Sequence, residues 1–232
     1  MFPENVVMLA ALLTAMVLAM LVFVLWPGLD LRVTALFHDP VAGFSGADAG
    51  WPNDLRLGLW RVSEAVIALA IAALVAGHVA GAAILGVGKR VWAYIVLLYL
   101  LGPSLLVDGI IKRMWGRARP ADTMDFGGTL HFTPPYELSD QCVKNCSFVS
   151  GEVSGGVALA ASLLLLLEVM GKPLSSGSRA VLRVAILSLP ILIALQRIAA
   201  GRHFLSDAIF AALFTALVAF LLRIWLFPGP RT

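Results

Sequence analysis

The chain has 232 residues, of which 60% are hydrophobic and 13% charged, with a mean hydropathy of +0.91. Soluble domains are about half apolar and about a quarter charged, so this composition excludes a soluble enzyme, a disordered tail protein or a nucleic-acid binder. The net charge of +3 says little by itself, because the placement of basic residues matters more than their sum.

Apolar runs broken by charges predict an all-α protein, a single integral membrane domain of six transmembrane helices over residues 1–232. The first span, residues 6–26, has no basic segment before it and no small-residue cleavage pattern, so it reads as a retained helix and not as a signal peptide. Polar residues 27–61 form a loop, with Trp51 and Trp60 suited to the membrane interface. Spans follow at residues 62–85, which include His78 as an interhelical polar residue, and at residues 91–111. A second polar loop, residues 112–149, leads into spans at 150–170, 180–199 and 203–226. Pro190 predicts a kink in the fifth span, which a membrane bundle tolerates.

An even number of spans puts both polar loops on the side opposite the termini. Counting Lys and Arg favours a cytoplasmic location for that side, but several of these cations are better explained by function. Cys142 and Cys146, four apart in the second loop, point the other way if they close a disulfide, which persists only in an oxidising compartment. Two reduced thiols are the alternative, and zinc lacks a complete ligand set nearby.

Three polar clusters fall at span ends on this same side: Lys112 to Pro120, Ser147 to Glu152, and Gln196 to Asp207. Each alone reads as an interfacial anchor. Together, Lys112, Arg119 and Arg197 beside a Ser150–Gly151 pair opening a helix form a phosphate site, because a helix N-terminus offers free N–H groups and the cations supply charge. His203 and Asp207 are four apart, a spacing that puts both on one helix face and lets a carboxylate orient an imidazole. An imidazole beside a cationic cradle is a candidate nucleophile for phosphoryl transfer. Asp108, one turn before Lys112, is placed to pair with it, while Arg117 and Arg202 suit a large anionic headgroup or a solvated rim. The loop containing His131, Phe132, Pro134, Pro135 and Tyr136 reads equally as a lid or as a structured connector.

These residues resemble the motifs of the type 2 phosphatidic acid phosphatases, membrane lipid phosphatases related to vanadium haloperoxidases. Lys112, Arg119 and Pro120 match K-x6-R-P; Arg197, His203 and Asp207 match R-x5-H-x3-D, with Gln196 where Ser usually precedes the Arg. The middle motif, usually P-S-G-H, reads Val149, Ser150, Gly151 and Glu152. The resemblance implies a core of this family's fold, a phosphorylated membrane lipid as substrate, and no metal or other cofactor. It implies that His203 attacks phosphorus to give a phosphohistidine with Asp207 holding its ring, while Lys112, Arg119, Ser150, Gly151 and Arg197 bind the phosphoryl oxygens. Glu152 occupies the position of the family's acid–base His. A carboxylate serves readily as a base for water, but serves as an acid only when protonated. That asymmetry favours a substrate with an undemanding leaving group, such as a polyprenyl pyrophosphate or an anomeric sugar phosphate of lipid A, or else a second proton source such as His131. The resemblance also admits phosphatidate and phosphatidylglycerophosphate, on which other members of the family act. The implied setting is a bacterial inner membrane with the site on the periplasmic side. The alternatives are a lipid phosphotransferase using the same intermediate and a catalytically silent lipid-phosphate binder. A channel is a poorer fit, since it leaves the spacing from Arg197 to Asp207 unexplained.

Overall fold

The structure, a computed structural model, describes residues 3–46 and 50–228; residues 47–49 of the first polar loop and both chain ends lie outside the described residues. Eight α-helices are present among the described residues: α1 (Pro3–Leu25), α2 (Leu29–Ala35), α3 (Trp51–Ala80), α4 (Lys89–Tyr99), α5 (Lys112–Trp115), α6 (Gly151–Met170), α7 (Ser176–Ala199) and α8 (Leu205–Leu226). A π-helical segment, Leu100–Ile111, joins α4 to α5, so residues 89–115 form one continuous span. Six helical segments of the described chain are long and apolar enough to cross a membrane, and the protein is an integral membrane bundle. The only strands among the described residues are a two-residue hairpin, β1 (His38–Asp39) paired antiparallel with β2 (Gly43–Phe44).

The second span differs most from the sequence expectation. Its helix starts at Trp51, eleven residues before the apolar run, and so takes up much of the predicted loop. The cause is local. Pro52 fits the first turn, Asn53 Oδ1 accepts from Arg56 Nη1 at 2.9 Å, and Glu64 accepts from both Trp60 and Arg61. These polar turns continue the helix past the hydrocarbon layer into the interface, where hydropathy alone registers only a loop. Gly81, at φ +63°, ends the helix in the left-handed conformation favourable to glycine.

The central element is α6, which packs against α7, α8, α3 and the third span. Its small residues allow close approach: a Cβ on Gly156 would stand 2.7 Å from Ile193 Cδ1 and 3.3 Å from the Cα of Pro190 on α7. Ser154 and Thr215 hydroxyls meet at 2.6 Å between α6 and α8. The faces of α1 and α7 are largely exposed, as lipid-facing helices should be. In the third span, Pro103 has no N–H to give, and the widened π-helical turns accommodate the missing bond.

Because the spans alternate in direction, six segments meet at one end of the bundle: the end of α1 with α2, the start of α3, the end of the third span, the start of α6, the end of α7 and the start of α8. Backbone hydrogen bonds lace this end together, from Gly46 N to Ala199 O, Ala121 N to Gly201 O, Ser147 N to Arg117 O and Ser150 N to Asp207 O, all 2.9–3.1 Å.

Candidate active site

The three motif clusters lie at this laced end. Ser150 caps α6, its hydroxyl accepting from Val153 N at 3.4 Å, which leaves the first N–H groups of the helix facing the cluster. Lys112 Nζ reaches Asp108 Oδ1 at 3.2 Å, and the pair lies directly over the α6 N-terminus. A Cβ on Gly151 would meet Asp108 Oδ1 at 2.8 Å and Lys112 Nζ at 3.1 Å, so only glycine lets the ion pair come this close. Arg119 donates from Nε and Nη2 to the carbonyl of Asn145 at 3.0 and 2.9 Å, an oxygen presented by a residue at φ +57°. Arg197 donates from Nη1 to Gln196 Oε1 at 3.1 Å, while its Nε is buried without a hydrogen-bond partner and lies 3.5 Å from Glu152 Oε1. Arg119 and Arg197 each feel Glu152 and Arg202, and Glu152 feels Arg197 and His203. Lys112 is within reach of His203.

His203 is buried, and its Nδ1 lies 2.8 Å from the carbonyl oxygen of Ser147. A carbonyl only accepts, so Nδ1 carries the proton and Nε2 keeps a free lone pair. Burial pushes the His203 imidazole below its ordinary value, with the negative charge of nearby Asp207 opposing. The ring is therefore neutral at neutral pH.

Asp207 stands differently from the sequence expectation. His203 precedes the N-cap of α8, so the four-residue spacing does not lie along one helix face. Asp207 Oδ2 is 3.7 Å from His203 Nδ1, too far for a hydrogen bond. It accepts instead from Phe204 N at 2.8 Å, capping the helix, and from Ser147 Oγ at 2.5 Å. The carboxylate thus reaches the ring through Ser147, whose own carbonyl accepts the hydrogen bond from the imidazole Nδ1–H.

Arg117 requires a larger correction. The sequence suggests a headgroup or rim residue, but its side chain is fully buried. Nη1 donates to Asp207 Oδ1 at 2.6 Å and Ser206 Oγ at 2.8 Å, Nη2 to Asp30 Oδ2 at 2.8 Å, and Nε to the carbonyl of Thr133 at 2.7 Å. Its guanidinium also covers the ring of Phe204 at 4.3 Å. Asp30, on α2, accepts from Ser206 N and Oγ as well, joining α2 to the start of α8. Burial pushes the Asp30 carboxyl up from its ordinary range, with Arg117 pulling against it. Nothing in the spacing singled out Asp30 or Ser147, because both act through backbone and side-chain contacts far apart in sequence.

Glu152 is held by Arg56 of α3, whose Nε donates to Oε2 at 2.6 Å and whose Nη2 donates to Oε1 at 3.3 Å. Arg56 lies in the stretch that hydropathy reads as loop, so the sequence pattern does not single it out. Paired with Arg56 and beside Arg197, Glu152 is a hydrogen-bond acceptor and not a proton donor. Arg202 is exposed at the rim. His131 is exposed too, its backbone N–H bonded to Gln141, and it does not line the hollow beside the cluster. The loop around it is a connector tied down at several points, with Trp115 Nε1 bonded to Pro135 O and Phe132 packed edge-on to Phe204. Cys142 and Cys146 form a disulfide, with Cα atoms 5.5 Å apart.

A vestibule of 760 Å³ opens beside the cluster, bordered by Lys112, Arg113, Lys144, Asn145, Arg56 and Glu152. A mainly apolar groove of 210 Å³ leads from it between α3, the π-helical segment and α6, past Ile67, Tyr99 and Gly156. Cations and helix N–H groups around a polar hollow, with an apolar groove entering from the bilayer side, suit a lipid that carries phosphate. Residues 90–230 match the PAP2 superfamily, and the chain belongs to that family of membrane lipid phosphatases. A lipid A 4'-phosphatase of Rhizobium leguminosarum is 33% identical over 212 residues, covering 86% of this chain and 87% of the relative. Lipid A 4'-phosphatases of Rhizobium etli and Francisella tularensis subsp. novicida are 44% identical over 108 residues and 38% over 121. These shorter alignments cover 47% and 52% of this chain, and 39% and 51% of the relatives. No solved structure matches the chain significantly.

Proposed function

We propose that the protein removes a phosphate from a lipid of the lipid A class by a metal-independent phosphohistidine mechanism. The observation that carries this reading is the buried His203 ring, with Nδ1 2.8 Å from the Ser147 carbonyl and with Arg119 and Lys112 within electrostatic reach, so that a proton on Nδ1 leaves Nε2 its lone pair. In the first half-reaction Nε2 attacks phosphorus in line, the N–P bond forms and the bond to the sugar oxygen breaks. Lys112, Arg119 and Arg197, with the Ser150 hydroxyl and the Gly151 N–H, take up the charge on the phosphoryl oxygens. The proton for the departing oxygen comes with the substrate's monoanion, the minority form of the phosphate above about pH 6, so this half-reaction runs through that singly protonated species. In the second half-reaction water attacks phosphorus, Glu152 accepts its proton and His203 leaves. Asp207 is a positioning residue in this scheme, acting through Ser147 and Arg117.

The lipid A reading draws on the names of the relatives, and the vestibule and groove support a substrate with a bulky headgroup and acyl chains. The relatives' 4'-phosphate would be a sugar ester, whereas the acid–base argument from the sequence favoured pyrophosphates or anomeric phosphates; a proton borne by the substrate reconciles the two. The disulfide in the site-side loop supports a periplasmic site, since such a bond persists in an oxidising compartment. The test is phosphate release from lipid A, polyprenyl pyrophosphate and phosphatidate by detergent-purified protein in chelator, wild type beside His203→Ala. Release from lipid A that vanishes in the variant, with an acid-labile phosphoenzyme in wild type, is the expected result. Release that survives His203→Ala would overturn the mechanism.

A further inference from the structure

Arg56 is the residue at which three hollows meet. It borders the 760 Å³ vestibule, the 210 Å³ groove beside α6, and an apolar groove of 270 Å³ between α3 and α7. A lipid with its phosphate in the vestibule and its chains in either groove must pass this side chain. The Arg56 side chain is a quarter exposed and its guanidinium rests on Glu152, itself about a quarter exposed, so solvent or a ligand reaches both side chains. The same carboxylate faces the buried, unpartnered Nε of Arg197. Glu152 therefore occupies, among cations, a place where an anionic group of a substrate would sit.

We propose that Arg56 is a substrate-binding residue, parked on Glu152 in the free protein and transferred to the lipid's phosphate when substrate enters. This rests on the phosphatase reading of the same site. Nη1 remains bonded to Asn53 Oδ1 at 2.9 Å, a tether one turn away on α3 that keeps the head of the side chain near the mouth while Nε and Nη2 change partners. The exchange replaces one charge-assisted, two-pronged bond with another, so it proceeds without stranding a guanidinium or opening the bundle. It also makes entry selective, because a neutral lipid offers nothing for Arg56 to exchange onto and leaves the mouth occupied by the ion pair.

The experiment measures binding of dodecylphosphonate, whose P–C bond is not hydrolysed, to the full chain in neutral detergent by calorimetry. Wild type is compared with Arg56→Ala, Arg56→Lys and Glu152→Gln. Losing a charge-assisted bond predicts about tenfold weaker binding for Arg56→Ala, with partial recovery in Arg56→Lys. Glu152→Gln releases Arg56 and removes a competing anion, so it binds more tightly than wild type. If Arg56→Ala and Glu152→Gln weaken binding alike, the pair is merely structural and the proposal fails. It fails equally if Arg56→Ala binds as wild type does, or if wild type does not bind. Phosphate release is assayed separately on the wild-type preparation, so binding without release defeats the phosphatase reading and leaves the Arg56 result standing.

Discussion

Two ionic clusters lie side by side at one end of this bundle, built from the same residue types and made for opposite ends. In the inner one, Arg117 stands between Asp30 and Asp207, all three side chains fully buried. Every Arg117 nitrogen has a partner, and the cluster ties α2 and the start of α8 to the loop after the third span. In the outer one, Lys112, Arg119, Arg197 and Arg56 outnumber their carboxylates, Glu152 and Asp108 are partly open to solvent, and Arg197 Nε lacks a hydrogen bond. A closed set of bonds fixes geometry, and an incomplete one with surplus positive charge binds an anion. His203 sits at the boundary, its ring set by the inner cluster through Ser147 and within electrostatic reach of Arg119 and Lys112 of the outer one.

Substituting an arginine from each cluster gives the largest effects and the clearest separation. Arg117→Leu leaves two carboxylates buried without their cation, which costs about 3–5 kcal/mol of stability. The expected outcome is protein that fails to accumulate or melts far below wild type in a detergent thermal-shift assay. Arg197→Leu removes a cation that the proposed mechanism places on the phosphoryl group, and phosphate release should fall about 100-fold or more while the melting temperature stays near that of wild type. Loss of stability in both variants, or of activity alone in both, would break the division between the clusters.

Gly151→Ala sharpens the outer half of the comparison. The new methyl overlaps the Asp108–Lys112 pair and pushes Lys112 from the helix N-terminus. Activity should fall about tenfold, as for loss of one charge-assisted contact, with kcat more affected than thermal stability. Restoring space by Asp108→Ala in the Gly151→Ala background should recover part of the loss if steric overlap is the cause.

The acid side of the pH profile tests the boundary residue. In the proposed mechanism His203 acts as the neutral ring, and burial sets its value below that of a free imidazole. Activity should therefore persist at pH values where an exposed histidine would already be protonated, and fall only as the pH drops further. Asp207→Asn takes away the group that opposes this depression, so it should move the acid limb of kcat/KM to still lower pH. A limb at the ordinary histidine value, unmoved in Asp207→Asn, would mean that the ring is neither buried nor coupled to Asp207 during turnover.

The division also explains what could be read in the sequence. The six spans and the three outer motifs are local patterns of hydropathy and spacing, and the structure brings those motifs to one end of the bundle. The inner cluster was not legible, because Asp30 meets Arg117 and Ser206 across 87 and 176 residues and lies in a stretch that reads as a polar loop. Arg56 is not legible for a related reason, since the polar start of α3 lies beyond the hydrocarbon layer and hydropathy does not register it as helix. The spacing of His203 and Asp207 suggested a shared helix face, but the turn at Gly201, with φ +64° and Phe44 packed against it, delays the helix until Leu205.

The smallest effect belongs to Arg202, the motif-flanking cation that the structure leaves exposed at the rim. It contributes to the positive field felt by Arg119 and Arg197 without a close contact of its own to the cluster. A solvated charge of this kind acts on approach and is screened by salt, whose Debye length is about 10 Å at 0.1 M. Arg202→Ala should therefore lower kcat/KM about twofold at low ionic strength, leave kcat unchanged, and become indistinguishable from wild type in 0.5 M salt. An effect that survives salt would put Arg202 in contact with substrate and extend the outer cluster by one residue, whereas the buried charges of the inner cluster should show no such salt dependence.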